Sequence, residues 1–472
     1  LTARPTRLAS RLAATVAAAA ALLPGLAGAQ QWGFNYGGSA RTEYTDNYQL
    51  RPINTFSATT LTVSPFVTGF RRTETSQLNL LAGIGYNYVL ASGGGDNTDY
   101  WSGRLNLNGS TVVERSNYGF NVGVSRDQTI RTEAIQTGIV FGTPSTRTAV
   151  TAGANYGYQL TERWNAGANA SVFSNSFGNV QGTTANTGLN DNTGYGFGGN
   201  LGYAWSNRTQ VTLAANYSHF ASDITDSDSI STTLAATHQY SDRLTVSGYG
   251  GYFWSKIKST QNFVVCPTTP IFCQLGFVPF VPVALGTERD STGTLFGGSV
   301  NYRITEKTSF NFNASQNLTP SGTGVVTKAT AMTAGLSHAF SERMRGGLSA
   351  GWTRSTVPGF DNNVNQRSTF YSYGANVSYD LAERWLLDVG VRRQETDNRG
   401  VSANGNVIFV SIAYNWPGQS FSDWTGGFGG FPVPAAAPTA GIPPAVVPGQ
   451  PMGAPVPVPR AAEERPATDS NQ

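Results

Sequence analysis

The chain has 472 residues, with 31 basic and 28 acidic side chains and a formal charge of +3. That balance is too small to mark a nucleic-acid partner. Charged residues make up 12 %, about half the usual share, and no apolar run of helix-spanning length (about 20 residues) follows the N-terminal one.

Residues 1–29 read as a signal peptide. Arg4, Arg7 and Arg11 form a basic region, Leu12 to Leu23 an Ala/Leu stretch, and Ala27-Gly28-Ala29 a small-residue cleavage site before Gln30. The following residues, through 416, are written in period two. Trp32, Phe34, Tyr36, Ala40 and Tyr44 open the series. The stretch Phe56–Phe70 alternates poorly and carries Pro65, which suits an edge or a bulge better than a paired interior. Leu78, Leu80, Ala82, Ile84, Tyr86 and Tyr88 then alternate with small polar residues, broken only by Leu81. The pattern recurs at Leu105 and Leu107, Tyr118–Val124, Trp164–Val172, Tyr195–Trp205, Phe310–Ala314 and Tyr371–Leu381. Such alternation is the mark of a strand with two unlike faces.

Three features separate this pattern from a soluble sandwich. The polar face is Gly, Asn, Ser and Thr, with few of the charges that a water-facing sheet carries. Aromatics such as Tyr158, Trp164, Tyr203, Trp205, Tyr240, Phe340, Tyr379 and Trp385 gather at strand ends, where an interfacial girdle belongs. The turns alternate in length, and most short ones repeat one phrase: "YQLTERW" at Tyr158–Trp164, "YDLAERW" at Tyr379–Trp385, and looser copies ending in Arg208, Arg243, Lys307 and Arg343. An acid followed by a base holds each tight turn in water. Short turns near Arg72–Ser76, Glu114–Asn117, Thr161–Arg163, Ser206–Arg208, Ser241–Arg243, Thr305–Lys307, Ser341–Arg343 and Ala382–Arg384 predict about 18 strands (16–18). Backbone groups in lipid must all be paired, so the fold expected over 30–416 is an all-β, transmembrane, antiparallel up-and-down barrel.

The connection Lys258–Asp290 is unlike the other long loops. It is apolar, proline-rich and contains the chain's two cysteines, Cys266 and Cys273. In an exported chain these suit a small loop disulfide. None of the three histidines falls in the segment, so no metal site is expected there. The connection is expected to fold over or into the barrel mouth and narrow the pore; the alternative is an outward loop that packs on a neighbouring chain or the lipid rim. Downstream, "NVIFVSIAYNW" lines Ile408, Val410, Ile412, Tyr414 and Trp416 on one face before Pro417. The remaining 56 residues hold 12 of the 23 prolines and show no strand or helix period. Residues 417–472 are expected to be a disordered, Pro/Ala-rich periplasmic tail.

Candidate chemistry is sparse. Ser337-His338 and Ser218-His219 resemble nucleophile–base neighbours, but adjacent strand residues face opposite ways. No catalytic residue, metal ligand or cofactor is assigned. "GYGFGG" at Gly194–Gly199 lies in a strand-like run with no helix after it, which argues against a nucleotide loop. The expected lumen-facing charges are Arg104, Arg303, Asp380, Asp388 and Arg392. Their mixed sign indicates no ion filter, and the Asn, Ser, Thr and Gly around them suit either neutral polar solutes or the filling of space beneath inward-folded loops.

The exported start, the repeated acid-base turns and the aromatic-ended strand at Ile412, Tyr414 and Trp416 resemble the outer-membrane β-barrel porin family. Some members of that family are encoded with exopolysaccharide systems. The resemblance implies residence in the outer membrane of a Gram-negative bacterium and contact with its lipid. It also implies recognition of the last strand by the barrel-assembly machinery. The implied function is that of a channel for small polar solutes or a conduit for exported polysaccharide. The alternative is a non-conducting barrel that anchors an envelope complex.

Overall fold

The computed structural model describes residues 31–93, 97–139, 145–179, 189–265, 281–357, 367–398 and 400–416. The expected signal peptide over 1–29, the tail over 417–472 and both Cys266 and Cys273 lie outside the described residues. Eighteen strands follow in order: β1 (Gln31–Thr45), β2 (Ser57–Arg72), β3 (Ser76–Ser92), β4 (Thr98–Val113), β5 (Ser116–Gln128), β6 (Ser145–Gln159), β7 (Trp164–Asn179), β8 (Asn192–Ser206) and β9 (Thr209–Ser222). The second half comprises β10 (Thr225–Ser241), β11 (Leu244–Val265), β12 (Val281–Arg303), β13 (Thr308–Pro320), β14 (Val326–Ala339), β15 (Met344–Thr356), β16 (Arg367–Ala382), β17 (Trp385–Asn398) and β18 (Val401–Trp416). One helix, α1 (Thr129–Thr137), lies between β5 and β6.

Each strand pairs antiparallel with its neighbours in sequence, and β18 returns to β1, with Tyr36 opposite Trp416 and Thr45 opposite Val407. Closure removes both edges of the sheet. The register places the apolar members of the period-two pattern on the outside: Phe34, Phe197, Leu234, Leu348 and Ile408 are each more than half exposed. Their neighbours in sequence turn inward. On β18 the inward row includes Val407, Phe409, Ser411 and Asn415, all buried.

The eight short turns fall together at one end, where the sequence placed them. The nine longer connections and tight returns share the other end. β2 is neither an edge nor bulged, contrary to the expectation from Pro65. It pairs with β1 through Gly38 opposite Pro65, and with β3 on both sides of that proline. The β2–β3 ladder omits Ser64 and Pro65, yet Val63 opposite Tyr86 and Phe66 opposite Gly83 keep one register. The missing proline N–H therefore interrupts the ladder locally without adding a residue.

The connection Lys258–Asp290 is strand at both ends, and residues 266–280 lie outside the described residues. Lys258–Val265 completes β11 and Val281–Asp290 begins β12, paired from Lys258 opposite Glu288 to Val265 opposite Val281. The hairpin outruns its neighbours. β10 ends its pairing at Thr225 opposite Ser259, and β13 pairs with β12 only over Phe296–Arg303.

Candidate functional site

The element that enters the lumen is α1. Its sequence, TIRTEAIQT, follows Gln128 with no side-chain cap, and Gly138 stops it in a left-handed conformation (φ 69). The Gly138 N–H donates to the Ala134 carbonyl at 2.9 Å, the closing bond of an αL C-cap. The helix starts on the β5 wall and ends against β15 and β16, on the opposite side of the ring. There the Thr353 hydroxyl donates to the Ile135 carbonyl at 3.0 Å and the Ser368 hydroxyl to the Gly138 carbonyl at 2.5 Å. A circular ring of this size would be roughly 35 Å across between backbones. A nine-residue helix spans only about 14 Å. The mouth is therefore flattened where α1 bridges it.

Two other segments meet the helix. The connection over 46–56 bends inward. The Tyr48 hydroxyl donates to Gln128 Oε1 at 2.8 Å, Tyr48 packs with Ala58 and Val89, and Leu50 clusters with Ala134, Phe370 and Ile135. The connection over 321–325 presents the Gly322 N–H to Glu133 Oε2 at 3.0 Å. It is held in turn by Asn190, whose N–H donates to the Gly322 carbonyl and whose amide donates to the Thr323 carbonyl. Glu133 is the centre of this assembly. Arg147 of β6 reaches it at 3.3 Å and also reaches Asp127 at 3.4 Å and Gln136 at 2.6 Å. Burial raises the Glu133 carboxyl above its ordinary value, and Arg147 and the Gly322 N–H partly oppose that shift.

The wall is built from a second repeated pairing. Inward asparagines stand opposite inward glycines on the next strand: Asn121 opposite Gly153, Asn155 opposite Gly119, Asn200 opposite Gly167, Asn169 and Asn216 opposite Gly198, Asn311 opposite Gly335, Asn376 opposite Gly347. Each amide lies over the glycine facing it. A Cβ at Gly153 would meet Asn121 Oδ1 at 2.6 Å, and one at Gly335 would meet Asn311 Oδ1 at 2.7 Å. Only glycine leaves room for this. The amides lie flat along the wall, which presents neutral donors and acceptors.

The structure places Arg104, Arg303, Asp380, Asp388 and Arg392 on the inward rows of β4, β12, β16 and β17. They do not form one site. Arg303 is exposed at the short-turn end of β12. Asp380 pairs with Arg345 at 3.0 Å, while Asp388 accepts hydrogen bonds from Asn376 and Ser378. Arg392 approaches Glu43 at 3.6 Å, and Arg41 binds the same carboxylate at 2.8 Å with its guanidinium over the Phe409 ring. The sequence reading missed Arg41, Glu43, Arg147 and Arg345. The two-residue spacing of Arg41 and Glu43 already put them on one face.

Ser337 and His338 point to opposite faces, as do Ser218 and His219. Ser337 bonds Ser309, whereas His338 meets the Thr308 hydroxyl. On the outer face, His219, Asp226 and Asp228 bring donor atoms within 4.8 Å of one another. Asp228 already accepts the Tyr217 hydroxyl at 2.6 Å and contacts His219 Nδ1 at 3.0 Å. Ile412, Tyr414 and Trp416 occupy the outer row of β18, opposite Ala40, Gly38 and Tyr36 of β1. They lie on the closing seam of the barrel, and the Trp385 ring packs 4.9 Å from Tyr414.

No protein-family model matches the chain, and no curated protein matches it. Among solved structures it is similar to the outer membrane protein OpdK from Pseudomonas aeruginosa (12 % identity, TM-score 0.40, covering 81 % of this chain and 99 % of that one). It is also similar to a BenF-like porin from Pseudomonas fluorescens Pf-5 (11 %, 0.41, 82 % and 99 %), and to OccAB1 from Acinetobacter baumannii (10 %, 0.38, 81 % and 97 %).

Proposed function

We propose that this chain is a channel of the bacterial outer membrane that passes small, neutral polar solutes, with α1 setting the width of its mouth. The observation that carries the proposal is the sidedness of the closed barrel. Its outside is apolar and aromatic, as lipid contact requires. Its inside is a neutral wall of asparagines seated on glycines. Such a wall exchanges hydrogen bonds with water, sugars and other uncharged solutes without holding any of them tightly, which conduction requires. Of the inward charges, Arg345 and Asp380 cancel as a pair, and Glu43 offsets one of the two charges of Arg41 and Arg392. We assign the protein no catalytic role. A polysaccharide conduit uses the same wall, but a polymer must displace α1. Passage of small solutes is therefore the primary reading.

In this reading residues 1–29 direct export, β18 is the strand recognised by the assembly machinery, and 417–472 extend into the periplasm. A second reading has one observation in its favour. Because α1 is tied to both sides of the mouth, a barrel that never releases it serves as a scaffold and does not conduct. Swelling of liposomes that contain the full chain, in isosmotic uncharged mono- and disaccharides, tests the proposal. Sugar-dependent swelling is expected, with monosaccharides faster than disaccharides. Swelling no faster than that of protein-free liposomes refutes the channel and leaves the scaffold.

A further inference from the structure

The repeated turn phrase has a feature that hydration alone does not explain. Arg115, Arg163, Arg208, Arg243, Lys307, Arg343 and Arg384 each occupy the position immediately before a rising strand: β5, β7, β9, β11, β13, β15 and β17. Their backbones are fixed at one level. The carbonyl of each accepts an N–H from the next hairpin: Gln159 for Arg115, Ala204 for Arg163, Gln239 for Arg208, Arg303 for Arg243, Ala339 for Lys307, Asp380 for Arg343 and Asn415 for Arg384. The seven cations thus form a ring around the short-turn end of the barrel.

Six of the seven follow an acid, namely Glu114, Glu162, Asp242, Glu306, Glu342 and Glu383. Yet none of the seven joins an ion pair among the described residues. In the longer turns Glu162, Glu306 and Glu342 stand one residue nearer the apex than their bases, while Glu114, Asp242 and Glu383 share the apex of a two-residue turn with theirs, and Arg208 has no acid before it. All the cations except Arg384 are exposed. The Arg384 guanidinium lies 3.4 Å from the centroid of outward-facing Trp416. Beside the eighth turn, Arg71 near the end of β2 lies 5.2 Å from that of outward-facing Trp32. The ring therefore borders the outward aromatics Trp164, Tyr203, Tyr240, Tyr379 and Trp385, at the height where aromatic girdles meet lipid headgroups. Bases beside such a girdle can extend toward phosphate while their stems cover apolar surface.

We propose that the short-turn rim is a docking surface for the phosphate headgroups of anionic glycerophospholipids, held by this ring of cations. The inference rests on the membrane placement proposed above and adds to it a lipid preference at one rim. Phosphate next to the barrel meets the exposed bases beside the girdle, and Glu162, Glu306 and Glu342 lie farther out, toward water. A cation near an anionic surface strengthens binding about five-fold.

The test uses the full chain folded in a zwitterionic detergent. It is titrated with dihexanoyl phosphatidylglycerol or with dihexanoyl phosphatidylcholine, and bound lipids are counted by native mass spectrometry. The wild type is expected to prefer the glycerol lipid at least about ten-fold, and to lose the preference in about 0.5 M NaCl. The triple variant R208Q/R243Q/R343Q is expected to bind the two lipids alike. Retained heat-dependent gel mobility shows that the variant is folded; if the triple variant does not fold, R208Q alone is expected to lower the preference about five-fold. Equal binding of both lipids by the wild type overturns the proposal, as does an undiminished preference in the folded variant. Displacement of the lipid by soluble polyphosphate at equal phosphate concentration assigns the ring to a free polyanion and also overturns it. Failure of the wild type to float with vesicles refutes membrane placement itself, whereas flotation without lipid preference overturns the docking surface alone.

Discussion

Replacing Glu133 by alanine tests whether α1 is a held element of the mouth. The substitution leaves the Gly322 N–H without its 3.0 Å acceptor and removes the 3.3 Å partner of Arg147. Arg147 keeps Asp127 and Gln136, so the larger loss is the acceptor of the buried Gly322 N–H. Leaving such a donor unsatisfied costs about 1–3 kcal/mol. A released helix exposes these groups to water, and the loss falls on the seated state alone. Taking roughly 2 kcal/mol, the ratio of released to seated helix rises about thirty-fold. Thr353→Ala and Ser368→Ala each remove one neutral bond at the far wall, and each is expected to shift the ratio by about five-fold. Single-channel recording of the full chain in planar bilayers reads the ratio as time spent at high against low conductance. Conductance levels and dwell times unchanged in folded Glu133→Ala would refute the reasoning, because the helix would then be held by something other than these bonds.

The same carboxyl predicts a pH dependence. Burial raises Glu133 above its ordinary 4.5, so the seated state binds its proton more tightly than a released, hydrated one. Seating is fully favoured below the ordinary value and weakens as pH rises through the raised one. The groups facing Glu133 are Arg147 and Asp127 from the walls and the Gly322 N–H from the 321–325 connection. Time at high conductance is expected to rise with pH across that window, and Glu133→Gln to weaken the rise. Gly198→Ala places a methyl against the Asn216 and Asn169 amides. Because those amides can swing inward, the barrel is expected to fold and its high-conductance level to fall; an unchanged level shows that the amides do not line the conducting path. Leu234→Arg, outward on β10 and 57 % exposed, is expected to destabilise the barrel by about 2–4 kcal/mol in lipid, measured by denaturant unfolding in vesicles, whereas a water-facing position would tolerate it.

The barrel was readable in the sequence because its two solvents impose two rules. Apolar residues must alternate with small polar ones along each strand, and every return near the aromatic boundary must be short and hydrated. All eight short turns answer to the second rule, including the diverged ones at Ser206–Arg208 and Ser241–Arg243. Pro65 misled because its local effect is real and its topological effect is not. A paired neighbour on each side holds the register across the gap. The helix α1 was not readable. At nine residues it is short, Gln128 supplies no cap, and it docks on the hydroxyls of Thr353 and Ser368 as much as on Leu50 and Phe370. Such a site leaves no apolar stripe to find. Gly138 alone was a signal, as a left-handed helix stop. The apolar character of Lys258–Asp290 pointed to burial across the mouth; its described residues belong to the longest hairpin of the barrel.

All eight described tryptophans lie on the outer rows: Trp32, Trp101, Trp164, Trp205, Trp254 and Trp385 are exposed, and Trp352 and Trp416 sit opposite outward Tyr371 and Tyr36. Fluorescence of the full chain in vesicles whose acyl chains carry bromine therefore asks directly whether that surface touches lipid. Strong quenching by the brominated chains, with little by aqueous iodide, is the result expected of a membrane-spanning barrel. Strong quenching by iodide with none by the brominated chains would contradict it.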